Sequence, residues 1–161
     1  MEGTGKVVGR KAPEFSLADE KGETRTLDEF LANGPLMVVF YPGDFTPVCT
    51  KQLCNYRDSQ EDFSNLGIQV VGISRNPPES HAKFKETYQL PFPLLSDSKS
   101  LVARAFGCTS KLLFGAVTRA VYIINSKGVI LYEYVEPTPL TRRKSDELVG
   151  VLKDLKTAAL I

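Results

Sequence analysis

The chain has 161 residues, 42% of them hydrophobic and 24% charged. That suits a single domain over 1–161, long enough to bury about 70% of the surface its unfolded chain would expose. A net charge of +1 removes any bulk electrostatic case for nucleic acid or an anionic membrane surface. Residues 1–6 lack the apolar core of a secretory signal. The longest apolar runs, 36–41 and 120–124, fall short of the roughly 20 residues a membrane span needs, so a cytoplasmic location is expected. Three cysteines, an odd count, argue against a static disulfide framework and for reactive or buried thiols.

In chain order, residues 12–17 alternate like a short edge strand, and Lys21-Gly22 reads as a turn. Residues 26–31 form a short helix that stops by Asn33-Gly34. The continuous apolar run 36–41 predicts a strand buried on both faces. Pro42-Gly43 ends it. Leu53, Tyr56, Phe63 and Leu66 then fall near helical spacing, predicting one helix over about 49–65. Residues 68–73 make the next buried strand, 79–88 a helix, and 93–95 a short strand. Asp97 is placed to cap a helix through Phe106. Residues 120–124 and 129–134 flank Ser126-Lys127-Gly128, a hairpin signal. Arg142-Arg143-Lys144 reads as the solvated start of a last helix, with Leu148, Val151, Leu152 and Leu155 on one face. Strand–helix–strand units favour a parallel core and the hairpin adds antiparallel pairing, so the expectation is an α/β fold with a mixed sheet covered by helices.

The chemistry concentrates after the first buried strand. Catalytic groups in open α/β sheets gather at the carboxyl ends of strands. Cys49 falls in the first turn of the following helix, where free backbone N–H groups and the helix dipole favour a thiolate. Thr46 is placed to bond either a bound oxygen or a helix N–H. Pro42 and Pro47 stiffen the turn and remove two donors that would need partners. From position alone, a buried structural cysteine stands equally open.

Cys54 lies five residues further on. On an ideal helix the two Cα atoms stand roughly 8.7 Å apart on different faces, beyond the ~7 Å reach of a disulfide. Either Cys54 is core, or the helix unwinds locally during a redox cycle. The spacing is not Cys-x-x-Cys, which disfavours a thioredoxin-type disulfide reductase. With one histidine, His81, inside a predicted helix, and no second cysteine pair, no metal site is expected.

Pro42-x-x-x-Thr46-x-x-Cys49 resembles the active-site signature of peroxiredoxins. Residues 41–58, with Cys54, Arg57 and Asp58, resemble the bacterioferritin-comigratory or Q-type subgroup. So do 79–84 and 90–97, and the likeness runs from Ala12-Pro13 to the final helix. This resemblance implies a thioredoxin-like fold with extra N-terminal strands. It implies Cys49 as the peroxidatic thiolate, Cys54 as the resolving cysteine, Thr46 as the group that positions the peroxide and Pro42 as the shield of the pocket. Arg119 matches the family arginine that holds the thiolate and polarises the peroxide. It implies a hydroperoxide substrate, thioredoxin or a glutaredoxin-like protein as reductant, no cofactor and a monomer.

Three positions depart from the pattern. Val48 stands where the subgroup has glycine, and Thr-Pro-Val-Cys-Thr is more typical of one-cysteine peroxiredoxins. Ala120 follows Arg119 where a hydroxyl residue is common. Residues 108–114 replace a polar, Gly- and Lys-rich loop and leave Cys108 unassigned, either a small buried apolar residue or a reserve or intermolecular thiol. The rivals are a one-cysteine peroxidase reduced by an external thiol and a holdase or binding protein that keeps the fold without turnover.

Overall fold

A computed structural model describes residues 6–161; the N-terminal stretch read above for a signal lies, but for Lys6, outside the described residues. A seven-stranded mixed sheet runs through the molecule. In chain order its strands are β1 (Ser16–Ala18), β2 (Thr24–Thr26), β3 (Leu36–Phe40), β4 (Gln69–Ser74), β5 (Leu94–Ser96), β8 (Ala120–Ile124) and β9 (Ile130–Val135). A separate two-residue pair, β6 (Thr109–Ser110) and β7 (Ala116–Val117), forms a small hairpin. The spatial order in the large sheet is β2-β1-β5-β4-β3-β8-β9. β3, β4 and β5 are parallel; β8, β9, β1 and β2 join antiparallel.

Strand alternation sorts the side chains of β3 onto two faces. Leu36, Val38 and Phe40 pack with Phe30 of α1 (Leu27–Leu31) and Phe106 of α5 (Leu101–Phe106). Met37, Val39 and the following Tyr41 pack with residues of four other helices. These are Leu53 and Tyr56 of α2 (Pro47–Asp58), Phe63 of α3 (Gln60–Asn65), Phe84 of α4 (Pro78–Tyr88) and Leu148 of α6 (Ser145–Thr157). The result is helix, sheet, helix, with both faces of β3 fully buried, as its unbroken apolar run required. Gly72 in β4 makes room on the second face. A Cβ there would stand 3.2 Å from Cε1 of Tyr41 and 2.8 Å from Cδ2 of Leu94.

Four expectations change. The early strand forms at 16–18 rather than 12–17, because Ala12 N–H donates to Gly128 O (2.8 Å) and ties that stretch to the β8–β9 turn. It is not the edge strand either: β2, which the sequence reading missed, lies outside it. The single helix over 49–65 is two, broken at Ser59, whose φ of −104° and ψ of 11° leave the helical region; its Oγ donates to Ser145 Oγ (2.8 Å). Arg142-Arg143-Lys144 leads into α6, yet Arg143 is half-buried: its guanidinium lies 3.8 Å over the Tyr134 ring and pairs with Glu147. Asp97 does cap α5, by accepting from Val102 N (3.2 Å) and Ala103 N (2.9 Å).

Among the described residues no helix is long and apolar enough to cross a membrane.

Candidate active site

The pairing of β3 with β8 sets the site. Because the strands are antiparallel, Phe40 at the end of β3 lies opposite Ala120 at the start of β8. The residue before Ala120 is Arg119, and the residues after Phe40 are Tyr41, Pro42 and the loop that enters α2. Two segments some 70 residues apart in sequence therefore meet at one end of the sheet.

Cys49 is fully buried in the first turn of α2, behind Pro47 at the helix start. Arg119, 2% exposed, donates from Nη1 to Cys49 Sγ at 2.8 Å. Its other donors are occupied too: Nη1 also to Gln52 Oε1 (3.2 Å), Nε to Thr141 O (3.1 Å), Nη2 to Pro139 O (3.2 Å). Among the described residues no carboxylate forms an ion pair with this guanidinium. Among the described residues its side-chain acceptors are the Cys49 sulfur and Gln52 Oε1. Glu136 is nearby in the same wall; burial lifts its carboxyl above the ordinary range, with hydrogen bonding to Thr141 pulling the other way.

Gln52 and Tyr56 complete the wall. Gln52 donates from Nε2 to Tyr56 Oη (3.1 Å), and Tyr56 donates to Arg143 O (2.6 Å). Cys49, Gln52 and Tyr56 are spaced i, i+3, i+7, one face of α2. The sequence reading took Tyr56 as core and passed over Gln52; a polar residue one turn from a candidate nucleophile was the available signal.

Thr46 is the N-cap residue of α2, but its side chain caps nothing: Oγ1 donates to Gly43 O (3.0 Å), leaving its lone pairs for another donor. Pro42 and Arg119 line a cavity of about 270 Å³ together with Leu113, Val117, Glu136 and Pro139. Clefts of about 350 and 370 Å³ beside Asp28 hold none of these residues.

Cys54 is half-buried, and burial raises its thiol above the ordinary range, Arg57 opposing and Asp58 assisting. All three cysteines are free. Cys49 and Cys54 sit within one unbroken α2. Cys108 packs on the opposite face of the sheet, among Phe106 and Tyr122. Its Sγ donates to Ala103 O (3.4 Å), and burial drives its thiol far above the ordinary range. Among the described residues no cluster of three His, Cys, Asp or Glu is placed to hold a metal ion.

A second buried polar group was not foreseen. Asp44, in the loop before α2, accepts from Tyr41 Oη (2.7 Å), Ser80 Oγ (2.8 Å) and His81 Nδ1 (2.8 Å). The histidine read simply as helical is fully buried, and its Nε2 faces Leu95 O at 3.0 Å.

The chain is similar to known proteins in sequence and in fold. The AhpC/TSA family pattern matches residues 8–133. Peroxiredoxin Q, chloroplastic, from Populus jackii is 42% identical over 126 residues, which are 78% of this chain and 59% of that protein. The chain thus spans about three fifths of the length of that relative. Peroxiredoxin Q, chloroplastic, from Sedum lineare is 39% identical over 148 residues, covering 92% of this chain and 78% of that protein. Among solved structures, peroxidoxin BcpB from Mycobacterium tuberculosis superposes with a TM-score of 0.83 at 32% identity, over 92% of this chain and 97% of the other. The fold is the thioredoxin-like fold of these proteins, and the chain belongs to the AhpC/TSA family, within it to the peroxiredoxins of the Q and bacterioferritin-comigratory type.

Proposed function

We propose that this chain, as a single domain, is a thiol peroxidase that reduces hydrogen peroxide and organic hydroperoxides with Cys49. The Cys49 thiolate attacks the terminal peroxide oxygen. The O–O bond breaks, the remaining oxygen leaves as alkoxide or hydroxide and takes a proton to become alcohol or water, and Cys49 becomes a sulfenic acid. Arg119 holds the thiolate and stabilises charge developing along the O–O bond. Thr46 orients the peroxide with its free lone pairs, and Pro42 closes the pocket. The observation that carries this reading is the 2.8 Å contact between a buried guanidinium and a buried sulfur at a helix start.

Cys54 then condenses with the sulfenic acid, releasing water and forming a disulfide. Thioredoxin or a glutaredoxin-like dithiol reduces it by exchange and leaves oxidised. Because Cys49 and Cys54 share one helix, the first turns of α2 must unwind before they meet. The protein works in a reducing compartment, the cytoplasm, as a monomer.

Peroxide consumption with thioredoxin and its reductase tests all of this. Cys49→Ser should abolish turnover. Cys54→Ser should keep the first step and lose thioredoxin-dependent cycling, and peptide mapping of oxidised wild type should find Cys49 linked to Cys54. Wild-type turnover in Cys49→Ser would end the reading. Cycling in Cys54→Ser with an external thiol would favour the one-cysteine alternative, for which Val48 speaks. A wild type with no turnover would leave a binding or holdase role.

A further inference from the structure

The loop that delivers Cys49 is fastened to α4 by groups the peroxidase chemistry does not use. Asp44 stands five residues before Cys49. Its side chain accepts three hydrogen bonds, two of them from Ser80 and His81 in the first turn of α4, and its backbone N–H donates to Asn76 Oδ1 (2.9 Å). Both ring nitrogens of His81 face oxygen atoms, Asp44 Oδ2 and Leu95 O. Burial, and next the Asp44 charge, push the Tyr41 hydroxyl well above its ordinary range, so it serves Asp44 as a donor. Beside them Phe45, a bulky residue at φ 63°, is held in that uncommon conformation with its ring 5.0 Å from Phe84 and 6.2 Å from Tyr88 of the same helix. The far end of α2 is fastened to α4 as well, by Arg57 Nη1 donating to Tyr88 O (2.7 Å). Cys49 and Cys54 lie between these two fastenings.

We propose that Asp44 and His81 are positioning residues: their buried pair latches the loop before α2 onto α4, and so sets how often the Cys49 turn opens. With the latch closed, Cys49 stays under Arg119 and reacts with peroxide. With it released, the segment 45–56 unwinds between its two fastenings and Cys49 reaches Cys54. The opening half of this inference rests on the resolving role proposed for Cys54; the latch itself does not.

The test uses the reduced full-length protein and four variants. Asp44→Asn turns one acceptor into a donor facing donors. His81→Phe keeps the ring volume and removes both ring nitrogens. Hydrogen exchange at the amides of 50–54, the first that bond within α2, should be at least tenfold faster in both. In stopped flow, the peroxide-dependent first step should slow at least fivefold. The peroxide-independent step that forms the disulfide should speed up at least threefold. Ser80→Ala should shift all three readings the same way by smaller factors, and Ser80→Thr, which keeps the hydroxyl, should restore them. The Ser80 pair decides the matter if the two buried variants fail to fold. Unchanged exchange at 50–54, or both rates falling together, would overturn the latch. A wild type whose Cys49 never links to Cys54 would refute the resolving role instead, and the latch would then be judged on exchange and the first step alone.

Discussion

Cys49 and Cys108 are equally buried, each with no exposed surface, yet the two faces of the sheet treat them differently. Cys108 is surrounded by Phe106, Tyr122 and aliphatic side chains, and its thiol donates to the Ala103 carbonyl and meets the Tyr122 hydroxyl. Burial dominates there, outweighing hydrogen bonding to Tyr122, and the thiol keeps its proton. Cys49 meets a guanidinium whose other donors are fixed by Gln52 and the carbonyls of Pro139 and Thr141. Burial around that pair excludes water and strengthens the interaction. What distinguishes the two fully buried thiols is the guanidinium buried against Cys49.

The widest break in this contrast comes from removing the cation. Arg119→Met should lower the rate of Cys49 with hydrogen peroxide by about 10²–10³-fold, the usual loss for one preorganised donor at a developing charge. Cys108→Ser should stay within about twofold of wild type, since the sheet separates it from the site. Stopped-flow rates on the two variants make the comparison. A Cys108→Ser protein slowed as much as Arg119→Met would mean the two faces are not chemically separate.

That contrast was partly legible in the residues. Cys49 announced itself through Pro42, Thr46 and a strand–helix junction, all within eight residues. Arg119 did not: 70 residues away at a strand start, it looks like any edge charge. Only the antiparallel register that sets Phe40 against Ala120, or a family resemblance, brings it to the sulfur. The layered α/β fold followed from apolar runs and periodicity, which are local signals. Strands β1 and β2, of three residues each, are too short to carry a period and take their places from partners far along the chain. Asp44 and His81 show the same limit. Each looked unexceptional alone, and their pairing depends on how α4 crosses from β4 to β5.

Cys54 lies between the two extremes and sharpens the comparison through pH. Burial in the intact α2 raises its thiol, so the proton is held more tightly in the closed form than in the unwound one. The closed form is therefore favoured fully below the ordinary thiol value, about 8.5, and loses that advantage as pH rises above it. Attack on the sulfenic acid also needs the thiolate. Both effects have one sign. The peroxide-independent disulfide step should quicken by up to about tenfold per pH unit while pH stays below ~8.5. A flat profile from pH 6.5 to 8.5 would show that a thiolate at Cys54 does not limit resolution.

The smallest effect is thermodynamic and belongs to Cys108. Its folded-state value is raised by burial, so the folded chain keeps a proton that the unfolded chain gives up in alkali. Stability from this thiol is complete below its unfolded value, about 8.5, and falls by about 1.4 kcal/mol per pH unit above it. Cys108→Ala removes that dependence. It also removes a small packed sulfur at a cost of about 1 kcal/mol, near the low end for core truncations. At pH 7 the variant should therefore be the less stable protein by about that amount. By pH 9.5 the gap should have moved in the variant's favour by about 1.4 kcal/mol, bringing the two level or slightly reversing them. Urea unfolding of the reduced proteins at both pH values measures the change directly. The buried Tyr56, on the other face of the sheet, is raised in both proteins and cancels in the difference. A gap that stays constant from pH 7 to 9.5 would show that the Cys108 thiol ionises in the fold as readily as outside it, and the contrast with Cys49 would lose its physical basis.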